Sequence, residues 1–188
     1  MMEFVYAYAY FILYAFLGWV CEDLYCGIPT KKFINRGFFY GPYCPIYGVG
    51  ALLVLYPLLF VKDYPILVFV LGVIITSALE YITSWVMEIL FKTRWWDYSE
   101  RFMNINGRVC LLNSTLFGIM SIVVIYIIHP IIQDIVMDIP FTALMSFLSA
   151  FTIGFGIDCV FTVLALLRRK QVFQKVQVQM EAFKKDFE

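Results

Sequence analysis

The sequence predicts an all-α, polytopic membrane bundle of about five transmembrane helices, read as two parallel copies of a helical hairpin plus a fifth helix. Three observations predict it. Hydrophobic residues make up 62% of the 188-residue chain and charged residues only 15%, against roughly 45–50% and about 25% in soluble domains. The apolar residues come in blocks of about 20, the length that crosses ~30 Å of hydrocarbon as a helix. Lys and Arg are segregated by loop, so the net charge of zero conceals an asymmetry.

The first predicted helix covers 4–25 and begins with a Tyr- and Phe-rich turn, as an interfacial belt would. The start of the chain has no basic n-region or small-residue cleavage site, so this block is expected to remain a membrane helix. The loop 27–40 holds Lys31, Lys32 and Arg36, and the second helix follows over 42–61. Residues 33–50 contain four Gly and two Pro. A plain membrane crossing needs none of them, since Gly permits close backbone approach and Pro removes a donor. That stretch reads as a shaped membrane entry, with Asn35 and Arg36 at its mouth.

A tight turn at 62–65 leads to the third helix, 66–91, and then to a polar loop, 92–107, with Lys92, Arg94 and Arg101. The fourth helix is predicted over 108–128. The connector 129–140 carries Asp134 and Asp138 but no Lys or Arg, and His129 reads as a solvated helix end. The fifth helix spans 141–167, closing a membrane domain of residues 1–167. The remainder, 168–188, is a basic amphipathic segment whose Phe173, Val176, Met180, Phe183 and Phe187 recur at helical steps. It suits the inner leaflet, where basic amphipathic helices bind anionic lipid, or a partner helix.

With the basic tail in the cytoplasm, five crossings put thirteen of the fourteen Lys and Arg at the cytoplasmic side, leaving only Lys62 outside. This positive-inside pattern predicts a cell-membrane protein with its N-terminus outside. All five cysteines then fall in the cytoplasmic half, where thiols stay reduced. Cys21 and Cys26 match no usual zinc spacing, and no cofactor, metal or nucleic-acid signal appears.

A faint repeat runs through the first four helices. Trp19-Val20-Cys21-Glu22 matches Trp85-Val86-Met87-Glu88, and the clusters Asn35-Arg36-Gly37 and Asn106-Gly107-Arg108 each precede a returning helix. Parallel repeats with a site between the halves recur in transporters. The alternative is chance, because Trp, Asn and Arg are common at interfaces.

Ionisable groups inside membrane helices cost ~2.5–3.5 kcal/mol each at mid-helix, so they mark function or tight pairing. Glu80 is the deepest, ~22 Å along its helix from Pro65. With Thr76, Ser77, Thr83, Ser84 and Glu88 it forms a polar stripe, read as a hydrated or proton-accepting site or as a paired carboxylate. Asp158 lies on a row with Ser146, Ala150, Gly154 and Thr162, small residues that suit close helix packing. Glu22 and Glu88 lie nearer the boundary, where Arg36 and Arg108 either staple helix ends or bind an anion. The candidate substrate- or ion-binding residues are therefore Glu22, Asn35, Arg36, Glu80, Glu88, Asn104, Asn106, Arg108 and Asp158. Trp95, Trp96, Asp97 and Tyr98 are denser than an aromatic belt needs and read as a loop lying over the cavity mouth.

Phe16-Leu17-Gly18-Trp19 with Glu22, the run 35–50, Leu79-Glu80-Tyr81, Trp96-Asp97-Tyr98 and the run 104–111 carry a resemblance. Over residues 11–120 the chain resembles the bacterial membrane family named putative ABC-transporter type IV. The resemblance implies a multi-pass, permease-like protein and brings no catalytic or substrate-binding residues with it. The sequence contains no Gly-x-x-x-x-Gly-Lys-Ser/Thr run for nucleotide phosphates. An ATPase would then be a separate subunit, and five helices favour assembly as an oligomer in the bilayer. Three functions stay open: a transport component with a cytoplasm-facing polar cavity, an enzyme on a lipid-linked anionic substrate, and a small membrane scaffold.

Overall fold

The computed structural model describes residues 2–30 and 38–185, with side chains at 2–24 and 38–168. Asn35 and Arg36 lie outside the described residues. Among the described residues six α-helices follow in order: α1 Met2–Thr30, α2 Pro45–Leu58, α3 Pro65–Phe91, α4 Leu111–Val123, α5 His129–Asp138 and α6 Phe141–Lys185. Among the described residues there is no strand, only an isolated bridge between Ile105 and Val109.

Two helices start where a proline sits at the first helical position, Pro45 in α2 and Pro65 in α3. There the missing N–H has no intrahelical partner to lose and φ is already near the helical value. Pro57 removes a ladder bond near the end of α2, and the chain tightens into a 3₁₀ turn at Leu59–Val61. α3 closes on Lys92 in the left-handed conformation (φ 57°), whose N–H returns to Glu88 O at 2.8 Å.

Residues 129–140, expected as a connector, are largely helix instead. Leu111–Asp138 forms one apolar run in which α4 passes into α5 through a π turn at Val124–Ile128. Pro130 explains the turn. Its ring would press on the carbonyl four residues back, and the wider π spacing relieves it while His129 N–H bonds to Val124 O. The run ends at Ile139, held extended (ψ 127°) by the proline that follows it.

Among the described residues four stretches are long and apolar enough to cross a bilayer: Met2–Leu24, Pro65–Phe91, Leu111–Asp138 and Phe141–Arg168. Pro45–Val61 is apolar but shorter, 17 residues or ~26 Å. Large apolar side chains point outward along these helices, among them Ile74, Ile153, Val160 and Phe161. Long apolar helices with outward apolar side chains give the bundle the form of a polytopic membrane protein.

α1 packs on α2, α3 on α4, and α2 joins the two hairpins through α3. Small residues set the spacing. A Cβ on Gly48 would run into the Phe11 carbonyl oxygen and ring, and one on Gly118 would meet Phe69 and Val73. The fully enclosed apolar side chains Leu58, Val68 and Val136 mark a core at the end remote from the 92–110 loop. Polar burial is concentrated at the other end.

The two hairpins share one register. Trp19 and Trp85, Glu22 and Glu88, Gly41 and Gly107, and Cys44 and Cys110 are each 66 residues apart. Cys44 and Cys110 both stand in extended backbone immediately before the returning helix. The same interval links helix contacts: Phe11 meets Gly48 in the first hairpin, and Ser77 bonds Ser114 at 2.7 Å in the second. This register aligns Gly107 with Gly41 rather than with Gly37, so the loop pairing expected from sequence shifts by four residues.

His129 is not a solvated helix end. It is 6% exposed, 3.3 Å from the Tyr14 hydroxyl and edge-on to Tyr10. The helical continuation of α4 carries it into the bundle, where an exposed loop would have left it in water. Gly154, expected on a packing ridge, faces open space: a Cβ there meets nothing within 4 Å. The small-residue row therefore has no neighbour at Gly154, although one turn on Asp158 meets the Tyr40–Tyr43 turn and Thr162 is buried.

Candidate functional site

The polar end is built on the last turns of α3 and the loop that follows. Glu80, Ser84 and Glu88 recur every fourth residue and so share one face of α3. Arg108 lies along that face. Its guanidinium donates to Ser84 Oγ at 3.2 Å and to Glu88 Oε2 at 2.5 Å, and sits 5.6 Å from the centre of the Tyr81 ring. Arg94 takes the other Glu88 oxygen at 3.1 Å. Glu88 is thus neutralised by two arginines, and Arg108 is 9% exposed.

The loop holds this arrangement from its own backbone. Asn106 and Gly107 take φ of 53° and 68°, the pair of left-handed values used by a type I′ turn. The turn closes with Arg108 N–H to Ile105 O at 3.0 Å. A side chain on Gly107 would collide with Ser99 Oγ and Asp97 Oδ1. Asn104 pins the strap: its amide donates to Ser99 O and Arg101 O at 3.0 and 2.9 Å and accepts from Gly107 N. Trp96 donates to Arg108 O at 2.9 Å, Tyr98 N to Gly107 O at 2.8 Å, and Asn106 to the Tyr81 hydroxyl at 2.9 Å. Trp95 packs with Phe38 and Phe91. Asp97 accepts from both Ser99 groups, which hold its carboxyl below the usual carboxylate range.

Folded back in this way, the loop lays Tyr98 over Glu80. The hydroxyl donates to Glu80 Oε1 at 3.2 Å. Glu80 is 6% exposed, and its Oε2 is buried without a hydrogen-bond partner. No arginine or lysine reaches it among the described contacts. Burial, then the carboxylates of Glu80 and Glu22, push the Tyr98 hydroxyl well above the ordinary tyrosine range. Tyr98 therefore stays a donor and lies within the field of both acids.

Glu22 is the facing acid. Tyr47, in the first turn of α2, donates to Glu22 Oε2 at 2.5 Å. Its neighbour Asp23 is a further acid of this end, and the adjacent acid pair late in a membrane helix is its sequence signal. Asp23 is 7% exposed and neither carboxylate oxygen has a hydrogen-bond partner. Both acids act on Cys44: burial first, then Glu22 and Asp23, push its thiol up to about 11.

Asp158 stands apart. It anchors the Tyr40–Tyr43 turn to α6, accepting from Tyr40 N at 3.2 Å, Gly41 N at 2.8 Å, the Tyr43 hydroxyl and Thr162 Oγ1 at 2.8 Å. Glu80, Glu88, Asn104, Asn106, Arg108 and the loop residues thus belong to one assembly, with Glu22 facing it. Asp158 holds a separate junction.

Chemically, Arg108 and Glu88 are paired with each other and with Ser84 and Arg94, whereas Glu80 and Asp23 keep unused acceptors. Among the described residues no three acidic, His or Cys groups converge as a metal ion would require. Comparison with curated proteins and with solved structures gives no match. A family model described as "Putative ABC-transporter type IV" matches residues 9–163, which takes in α2 to α5, most of α1, the first half of α6 and the whole 92–110 loop. The chain belongs to that family.

Proposed function

We propose that this chain is the membrane-embedded, permease-like part of a transport system, and that Glu80 is its proton-accepting group. One observation carries the reading. Among the described residues, a deeply placed carboxyl has one oxygen on a tyrosine and the other without a partner, with no cation beside it. Such a group resides in a membrane interior only with a proton or a transient cation, because an unpaired charge there costs several kcal/mol. A single free oxygen with no converging ligands suits a proton. Glu22, whose charge also acts on the Tyr98 hydroxyl, is the next acceptor toward the boundary.

The distribution of Lys and Arg supports a cytoplasmic opening for this site. The family supports a separate ATPase subunit as energy source. Arg108, engaged by Ser84 and Glu88, favours the stapling role over capture of an anionic substrate.

Protein reconstituted in liposomes with an internal pH dye tests the reading. A potassium diffusion potential should drive proton entry that Glu80→Gln reduces at least tenfold, while the exposed Asp138→Asn leaves it intact. Equal flux in wild type and Glu80→Gln would remove Glu80 from the pathway.

A further inference from the structure

Beyond Phe155, α6 borders an open groove of about 440 Å³, lined by Tyr40, Gly154, Asp158, Phe161, Ala165 and Arg168 among others. Gly154 leaves one end of it empty, since a Cβ there would meet nothing within 4 Å. Asp158 does not offer its charge to an occupant, because its two oxygens receive four donors from the Tyr40–Tyr43 turn and Thr162. The remaining lining is chiefly apolar or aromatic. Arg168 is exposed at the far end, and Arg169 and Lys170 follow it in sequence.

The dimensions are those of a lipid. Gly154 and Arg168 are 14 residues apart, or ~21 Å along a helix. One leaflet with its headgroups is roughly 20–22 Å deep. A groove that is apolar for most of this length and basic at one end matches an acyl chain carrying an anionic head. A zwitterionic lipid would fill the apolar part equally but gain nothing from the basic end.

We propose that this groove is a binding site for one anionic phospholipid, with an acyl chain lying from Gly154 past Phe161 and the headgroup phosphate at Arg168. The Asp158 anchor is a positioning element, because it holds Tyr40 as the opposite wall. The inference is independent of the role of Glu80.

Native mass spectrometry of the full chain from nanodiscs of mixed phosphatidylglycerol and phosphatidylcholine reads the site directly. Wild type should retain phosphatidylglycerol preferentially. Arg168→Gln should lower that preference about five-fold, the loss of one basic contact near the surface, without reducing total retained lipid. Gly154→Phe, placed in open space, should reduce retained lipid itself, with Gly154→Ala as the control that folds and still binds. Equal retention of both lipids by wild type, or unchanged retention in both the Arg168 and Phe variants, would overturn the proposal. So would a Gly154→Phe protein that dissociates from dimer to monomer with unchanged lipid selectivity, which would assign the groove to a second copy of the chain.

Discussion

Tyr98 donates its hydroxyl to Glu80 Oε1 at 3.2 Å from a loop that doubles back over the helix it has just left. The contact satisfies one of two acceptors on a carboxyl that is 6% exposed. Removing the hydroxyl leaves Glu80 with no hydrogen bond at all. Tyr98→Phe should therefore destabilise the protein by about 1–3 kcal/mol, measured by denaturant titration in detergent. Glu80→Gln combined with Tyr98→Phe should cost less than the sum of the two, because the groups share one interaction.

Arg108 reaches Ser84 and Glu88 through two different nitrogens while lying over Tyr81. Lysine supplies a single point charge and cannot reproduce that fork. Arg108→Lys should thus resemble Arg108→Gln in lowering the melting temperature, despite keeping the charge. A lysine variant as stable as wild type would show that charge alone is being used.

The 66-residue register predicts matched steric limits in the two hairpins. Gly48 faces Phe11, and Ser114 faces Ser77, at equivalent places. Gly48→Leu and Ser114→Leu should each force apart a close helix pair and cost about 1–3 kcal/mol. Chemical unfolding of the two variants, compared with a Leu substitution at the exposed Thr142, checks whether the costs are alike.

Acid should loosen the loop. Ser99 holds the Asp97 carboxyl below its ordinary range. A carboxyl lowered on folding contributes fully above its unfolded pKa of about 3.9 and loses that contribution as pH falls through the lower folded value. Protection from hydrogen exchange over 97–107, taken relative to the intrinsic rate at each pH, should fall below about pH 4 in wild type. In Asp97→Asn that protection should already be low at neutral pH and change little on acidification.

Much of this molecule was legible because its signals are local or additive. Apolar blocks give membrane helices directly, and the spacing of Glu80, Ser84 and Glu88 places them on one face of α3 without knowledge of any neighbour. Trp19 and Trp85 stand at the 66-residue spacing that Cys44 and Cys110 also keep. What escaped depended on partners distant in sequence. His129 looked exposed because a proline follows it, yet the π turn before Pro130 keeps the helix running and buries the ring against Tyr10 and Tyr14. Gly154 looked like packing because small residues recur around it, but whether a helix lies opposite is a tertiary fact. The deciding property of Glu80, an oxygen left without a partner, exists only once Arg108 is spent on Glu88.

The central claim is that Glu80 binds and releases a proton. Infrared difference spectra between acid and alkaline pH, recorded on protein in lipid, read it directly. A protonated-carboxyl band should appear on acidification, vanish in Glu80→Gln and shift in frequency in Tyr98→Phe, which removes its hydrogen-bond donor. The same band persisting unchanged in Glu80→Gln would contradict the account.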